Sequence, residues 1–431
     1  MLKLTTEPPF LWLKRAIAIA GLFLLLPGLP LAFGFFCITF VLVVEGDYDA
    51  IRVGLGSFTL MLLTLGAGGV VFWHGLGSLQ GKVSKPLRLP PVWVIAGIFG
   101  LTVAMGLFIT QNNFASGLLF PPILMVAATL PPLLAVSWFT RQNAGGLTWR
   151  RASVAFAGGA TVGILVAIIL EILFPVIFLA LVFNLADVVV GSTEELFKAL
   201  AGKDIASAIT GPGFIYIFIQ VALIAPLAEE LAKPLVVLPW VGRLSRRDAF
   251  LVGAMAGAGF AALENVLYAG FGFYFWAGIL VVRALGGAIH PLGSGLVALG
   301  WRDVLRNEPK AWLNWFARFG LAAGMHALWN GGSLLVITLA GAQFFGELPP
   351  EIDVLGLSAA GTTLALLLVL GLIALWLGRS ITQRTEFPST SEDESVITDF
   401  TLSDKSVAIW ALTCLVAIVP AGIAGLRLLI H

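Results

Sequence analysis

Apolar residues in this chain come in long unbroken runs, without the period of 2 or 3.6 that marks a half-buried strand or an amphipathic helix. Runs long enough for a bilayer, about 20 residues at 1.5 Å rise each, lie at 16–44, 53–78, 91–111, 115–140, 152–186, 212–233, 249–271, 273–299, 314–341, 355–378 and 407–428. The pattern predicts an all-α fold, a polytopic integral membrane helix bundle of about eleven transmembrane helices. The first run contains LPGLP at 26–30 and reads either as one kinked helix or as a broken pair. Two connecting stretches are long. Residues 187–211 hold STEELFKALAGKD, a short amphipathic helix by its pattern, and 380–405 are rich in Ser, Thr, Asp and Glu and read as a flexible linker.

Composition agrees: 59% of residues are hydrophobic and 11% charged, where a soluble domain carries about a quarter charged residues. A net charge of +1 supplies no bulk field for nucleic acid, so no nucleic-acid partner is expected. Cys37 and Cys414 both lie in apolar runs and form neither a disulfide framework nor a CxxC metal site. The first apolar run is too long for a signal peptide and lacks a small-residue cleavage site, so the chain is expected to be retained whole.

Lysine and arginine alternate along the chain. With the N-terminus in the cytoplasm, each of the six inside segments holds three of them, from Lys3, Lys14 and Arg15 in the first to Arg379, Arg384 and Lys405 in the last. The outside segments hold Arg52, Lys198, Lys203 and Arg427. The positive-inside rule then predicts a multi-pass plasma-membrane protein with a cytoplasmic N-terminus.

A charge at the centre of a spanning helix costs on the order of 2.5–3.5 kcal/mol, so such residues need a partner, a wet cavity or a chemical role. Here they cluster in four consecutive spans: Glu229, Glu230 and Lys233; Glu264 and Asn265; Arg283 and His290; Arg318, His326 and Asn330. Glu171 lies outside that group. Lys233 follows Glu229 by four residues and Glu230 by three, so both pairings are open on one helix face. A bland alternative is a charge cluster snorkelling at the membrane surface. Adjacent glutamates diverge by about 100°, so at least one must face protein. Gly253, Gly257, Phe260, Glu264 and Tyr268 fall on one helix face whose small residues admit a neighbouring helix, whereas Val252 reads as lipid-facing. Glu264 could equally be a structural partner of Arg283. Arg283, Gly287, His290 and Ser294 share a face, with Pro291 expected to bend the helix beside His290, and His326 and Asn330 share another.

Carboxylates and histidines that converge in a buried site can activate water and stabilise an oxyanion, bind a metal, or relay protons. No H-E-x-x-H motif occurs. GDYD at 46–49 lacks a matching second aspartate motif. The motifs EELAK (Glu229, Glu230, Lys233), FAALEN (Phe260, Glu264, Asn265), HPLGSG (His290) and HALWN (His326, Asn330) together resemble those of the PrsW family of intramembrane proteases, distant relatives of the CAAX-prenyl and bacteriocin-processing peptidases. The CAAX-type relatives carry a histidine where this chain has Glu264.

The resemblance implies a peptidase core over 212–341, preceded by membrane helices of unassigned role in 1–211 and followed by two more in 342–431, joined by the acidic Ser/Thr-rich loop. It implies an intramembrane peptidase acting on a membrane-anchored protein or peptide, such as an anti-sigma factor, within the lipid bilayer. Glu229 or Glu230 would be the general base, with Glu230 slightly favoured. His290, His326 and Asn330 would orient water or stabilise the oxyanion. Glu264 would be a second acid or a polar support, with Lys233, Asn265 and Arg283 supporting. The cofactor stays open between none and a divalent metal such as zinc, for which His290, His326 and Glu230 are the candidate ligands; the motifs themselves lack a recognised zinc-ligand spacing. The competing readings are a proton-coupled transporter or flippase using the same residues as a relay, and a non-catalytic scaffold. Approach of Glu230, Glu264, His290 and His326 to within about 6 Å marks hydrolysis, and a file across the membrane marks transport.

The charge alternation predicts that Arg246→Cys and Glu351→Cys, each alone on a background without Cys37 and Cys414, react with an impermeant thiol reagent from opposite sides of the membrane. Labelling from one side would overturn the alternation.

Overall fold

The computed structural model describes residues 11–45, 50–111, 113–140, 147–182, 212–344, 350–384, 404–406, 408 and 409. Regular structure among the described residues is helical throughout, with one isolated bridge between Pro86 and Thr148. The helices in order are α1 (Leu11–Glu45), α2 (Ala50–Met61), α3 (Ala67–Leu79), α4 (Val92–Ile109), α5 (Asn113–Thr140), α6 (Trp149–Gly158), α7 (Ile164–Val182), α8 (Pro212–Ile219), α9 (Ala225–Ala232), α10 (Leu238–Val241), α11 (Arg246–Phe271), α12 (Trp276–Leu285), α13 (Ile289–Leu305), α14 (Ala311–Phe344) and α15 (Pro350–Arg384). Single π-turns at Leu62–Gly66, Gly159–Gly163 and Gln220–Ile224 join α2 to α3, α6 to α7 and α8 to α9. This is a multi-pass membrane protein, an all-α bundle.

Eight spans are long and apolar enough to cross a membrane, or nine if one bent pair counts as a span. The expected eleven are therefore not reached among the described residues. The bent pair is α12 and α13, read from the pattern as one span over 273–299; it turns by 43° at Gly286–Ala288. Arg283 and His290 thus sit on different helices. Pro291 is not the cause: it lies in the first turn of α13, where no backbone N–H is needed. The run at 314–341 is inside the 34-residue α14, made less apolar than the other spans by Arg318, His326 and Asn330. The run at 407–428, the expected amphipathic helix in 187–211, GDYD and most of the 380–405 loop lie outside the described residues. LPGLP does not break its span: α1 runs through Pro27 and Pro30 as one helix.

Helix α11 is the centre of the bundle. It packs on α5, α6 and α13, and 89% of its apolar window is buried. Two stripes of small residues make this possible. A Cβ at Gly253 or Gly257 would fall inside contact distance of the Ser294 and His290 backbone on α13, and one at Gly259 would strike the backbone of Phe156 on α6. Helices without side chains between them approach closely and gain dispersion contacts along their length. The expected lipid-facing Val252 is wholly buried. A span surrounded by protein has no lipid face, and a single span's sequence does not reveal how many neighbours it has.

One end of this centre is clamped by Asp303. Its carboxylate accepts from Arg246 at 3.0 Å, Arg302 at 2.9 Å and Arg318 at 2.8 Å, tying α11, α13 and α14 together. Arg302 also donates to the Leu244 carbonyl at 2.9 Å. Arg318, one of the intramembrane charges in the sequence, belongs to this clamp.

Gly257→Leu should abolish the approach of α13 to α11, because its side chain would have to enter the His290 backbone. Gly97→Leu, where an added Cβ meets nothing within 4 Å, should be harmless. The readout is the yield of monodisperse protein in detergent; equal yields would refute the packing.

Candidate active site

Local backbone chemistry places the first part of the site. Pro226 has no N–H, so neither Val221, five residues back across the π-turn, nor Ala222, four back, can receive a helical bond from it. Asn330 of α14 supplies the missing donor, its Nδ2 giving a hydrogen bond to the Val221 carbonyl at 3.2 Å. Immediately after, α9 carries Glu229 and Glu230 inward, and the chain tightens into a 3₁₀ turn at Lys233–Val236 that begins with Lys-Pro. Glu230 and Lys233 have no solvent exposure, and Glu229 has 5%. The snorkelling alternative for Lys233 is thereby removed, since its ammonium points into protein.

That ammonium is the hub. Lys233 Nζ lies 2.9 Å from Glu229 Oε2, 2.8 Å from Glu230 Oε1 and 2.7 Å from His290 Nδ1, and stands 4.5 Å from the centre of the Phe260 ring. An ammonium only donates, so His290 Nδ1 must accept and the ring carries its proton on Nε2. His290 Nε2 faces Glu264 Oε2 at 3.0 Å, and Arg283 Nη2 holds the same oxygen at 2.7 Å. Arg283 Nε in turn donates to the Asn265 side-chain oxygen, and Asn265 Nδ2 donates to the Ala128 carbonyl at 2.9 Å. Glu264 therefore has the partner open to it in the sequence, Arg283, and His290 as well.

On α14, His326 Nδ1 lies 3.0 Å from Glu230 Oε1. A carboxylate accepts, so Nδ1 carries the proton and Nε2 presents a lone pair. That lone pair faces Glu229 Oε2 at 3.7 Å. Neither atom has an aligned hydrogen bond, and both are buried. Two acceptors thus face each other, with the Lys233 ammonium 2.9 Å from the carboxylate oxygen of the pair. The His290 and His326 rings meet edge to face with centroids 4.6 Å apart.

The structure thus brings Glu229, Glu230, Lys233, Glu264, His290 and His326 into one knot, with Arg283 and Asn265 behind Glu264 and Asn330 behind α8–α9. Glu171 on α7 makes none of these direct contacts, and its backbone carbonyl accepts from Gln220 at 3.1 Å. Sequence reasoning missed Gly293. A Cβ there would come 2.5 Å from Glu230 Oε2, so glycine is what lets α13 pass over that carboxylate. The only signal was the G-S-G run after His290.

The knot was tested as a metal site on its donor atoms. Glu229, His290 and His326 each offer one ligand atom, all within 4.8 Å of one another. Ligands about 2.0–2.2 Å from a tetrahedral zinc stand about 3.4 Å apart, close to the 3.7 Å between His326 Nε2 and Glu229 Oε2. Three carboxylates stand against two fixed cations, Lys233 and Arg283, which leaves one formal negative charge to be matched. The Glu230–His326 contact is the outer-shell carboxylate that orients a ligating histidine. The residues fit a divalent metal. The carboxylate that completes the group is Glu229, where the sequence had offered Glu230.

Residues 148–349 match the family model described as PrsW family intramembrane metalloprotease. The chain carries a PrsW-family protease domain. The match takes in α6 and α7 as well as 212–341, and so includes the helix that packs on the far side of α11. It makes the protein an intramembrane peptidase, a hydrolase whose substrate is protein in the membrane. No curated protein and no solved structure matches the chain.

Lys233→Met keeps the length of the side chain and removes the cation, leaving two buried carboxylates without their counter-ion. Stranding one member of a buried pair costs about 3–5 kcal/mol. A clear fall in Tm is expected, partly restored when Glu230→Gln is added. An unchanged Tm in Lys233→Met would show that the ammonium does not hold the knot.

Proposed function

We propose that this PrsW-type domain hydrolyses peptide bonds of membrane-anchored proteins with Glu229 as the general base. The facing pair of acceptors, Glu229 Oε2 and His326 Nε2, carries the reading. At 3.7 Å they are close enough for one water to donate to both at about 2.8 Å, which leaves the water's lone pairs free for a carbonyl carbon. Attack would form the C–O bond as Glu229 takes the proton, and the same carboxylate would return that proton to the amine as the C–N bond breaks. Glu230 supports the step through His326, by fixing its proton on Nδ1 and so its lone pair on Nε2. Both glutamates meet Lys233, and the base moves from Glu230 to Glu229 because Glu230 also takes the His326 Nδ1 proton, whereas Glu229 faces the lone pair on Nε2. Asn330 is given a positioning role, since its amide donates to Val221. Glu264 and Arg283 orient His290.

Glu229, His290 and His326 would hold a divalent metal in the same place, and such an ion, when bound, supplies a Lewis acid for the carbonyl and acidifies water. Lys233 holds His290 Nδ1, so it would have to yield that atom if the ring bound a metal through it.

The knot is compact, and a proton relay would need these groups strung out along a path, so the arrangement favours hydrolysis over transport. The Lys and Arg alternation supports a plasma-membrane protein with its N-terminus in the cytoplasm, and 212–341 supplies all the groups used in this scheme.

Glu229→Gln should elute as a folded protein and cut a reconstituted single-span substrate about 10²- to 10⁴-fold more slowly. Metal content measured on the same preparations should be stoichiometric in the wild type, lost in His326→Ala and retained in Asn330→Ala. Wild-type rates in both Glu229→Gln and Glu230→Gln would end the peptidase scheme, and a metal-free active enzyme would end its metal arm.

A further inference from the structure

On the side of α11 away from the knot, two pockets share Trp149 as a common wall. The first is an apolar cleft of about 450 Å³ among the π-turn at Leu62–Gly66, α3, α5, α6 and α11, lined by Leu63, Ala67, Met125, Phe156 and Ala262 among others. Met255 and Ala262 line it, and each is two residues, about 200° of helix rotation, from Gly257 and Glu264 on the knot's face. No residue of the knot lines the cleft. The second pocket, about 330 Å³, lies along the last turns of α3 and the loop after it, lined by Trp73, His74, Lys82, Ser84, Lys85 and Arg150. No carboxylate lines either pocket among the described residues.

The basic pocket is built, not incidental. Arg150 Nη2 donates to the Lys82 carbonyl at 2.6 Å, and its backbone N–H donates to Ser84 Oγ at 3.0 Å. The Trp149 N–H donates to the Lys85 carbonyl at 3.0 Å, which pins the loop across the start of α6. Arg150 Nε is buried with no hydrogen-bond partner, a donor still to be satisfied. Its place along the chain matters as well. Lys82 and Lys85 fall between the spans Val53–Leu79 and Val92–Ile109, and Arg150 is the second residue of Trp149–Pro175. Cations and two tryptophans at span ends lie at headgroup level, while the cleft runs along the apolar spans.

We propose that the joined pockets bind one anionic glycerophospholipid, its phosphate on Lys82, Lys85 and Arg150 and one acyl chain in the cleft. The occupant must be an amphiphile, because an apolar cleft and a cationic pocket meet at one wall. It must be anionic, because the pocket offers donors and positive charge and no acceptor carboxylate. Basic pockets between transmembrane helices recognise lipid headgroups in this way, and each basic side chain contributes about fivefold in affinity. The site is independent of the peptidase scheme, since it shares no residue with the knot.

The test is lipid retention by the full chain purified in detergent, read by native mass spectrometry, with phosphatidylglycerol, phosphatidylcholine and soluble sn-glycerol 3-phosphate as probes. Phosphatidylglycerol should be retained in preference to phosphatidylcholine. The combined variant Lys82→Gln, Lys85→Gln, Arg150→Gln should lose that preference by about 100-fold, at about fivefold per charge. Ala67→Phe, which fills the cleft and spares the cations, should lose retention too. If it elutes as aggregate, the surface variant, whose elution is checked in the same way, decides the question. Equal retention of the two lipids, or undiminished retention in the charge variant, would overturn the proposal. Displacement of the lipid by equimolar glycerol phosphate would overturn it in favour of a soluble phosphate ligand.

Discussion

The ammonium of Lys233 is the one charge that the centre of this protein cannot do without. Glu229, Glu230 and His290 converge on it within 2.9 Å. Two carboxylates side by side in a dry interior repel each other and lose their hydration. A cation between them reverses both penalties, and Phe260 adds its ring face from the fourth side. Because Lys233 can only donate, it also sets the tautomer of His290, and Glu230 sets that of His326. The proton positions across the site therefore follow from one side chain that can only donate and one that can only accept.

The surrounding bundle is organised to bring the knot's elements within reach. Glycines 253 and 257 let α13 lie directly on α11, and Gly293 lets α13 pass over Glu230. Trp329 fills the space above Gly286, where a Cβ would strike its ring, and so supports the break between α12 and α13 that separates Arg283 from His290. Arg283 approaches Glu264 from one side of that break and His290 approaches from the other. A continuous helix would put them on one face, seven residues at 100° each falling only about 20° short of two whole turns, but about 10 Å apart along the axis. Bending resolves that axial separation. At the far end of α13, Asp303 locks the same three helices through three arginines.

Prolines and π-turns recur where the backbone must leave a regular path. At Pro226 the backbone acceptor that the ring cannot serve is satisfied by Asn330, a residue from another span. This is the general membrane solution, in which a freed carbonyl finds a side chain because water is absent. It also makes α14 serve twice, once through His326 in the knot and once through Asn330 in the support of the helix that carries the glutamates.

Sequence alone determined the class of structure and named the candidate residues that the fold brings together. Runs of apolar residues specify spanning helices because the bilayer demands them, and charges stand out within such runs because lipid penalises them. Glu229, Glu230, Lys233, Glu264, His290 and His326 were all legible for that reason. Tertiary structure decided which of them touch. The proposal of Glu229 over Glu230 as the base rests on His326 reaching Glu230 from α14, 96 positions away, and helical periodicity carries no information about such a neighbour. The burial of Val252, the assignment of Arg318 to the Asp303 clamp and the bend at Gly286–Ala288 were hidden for the same reason. Each depends on what packs beside a helix, and a span reads the same in sequence whether its neighbour is lipid or protein.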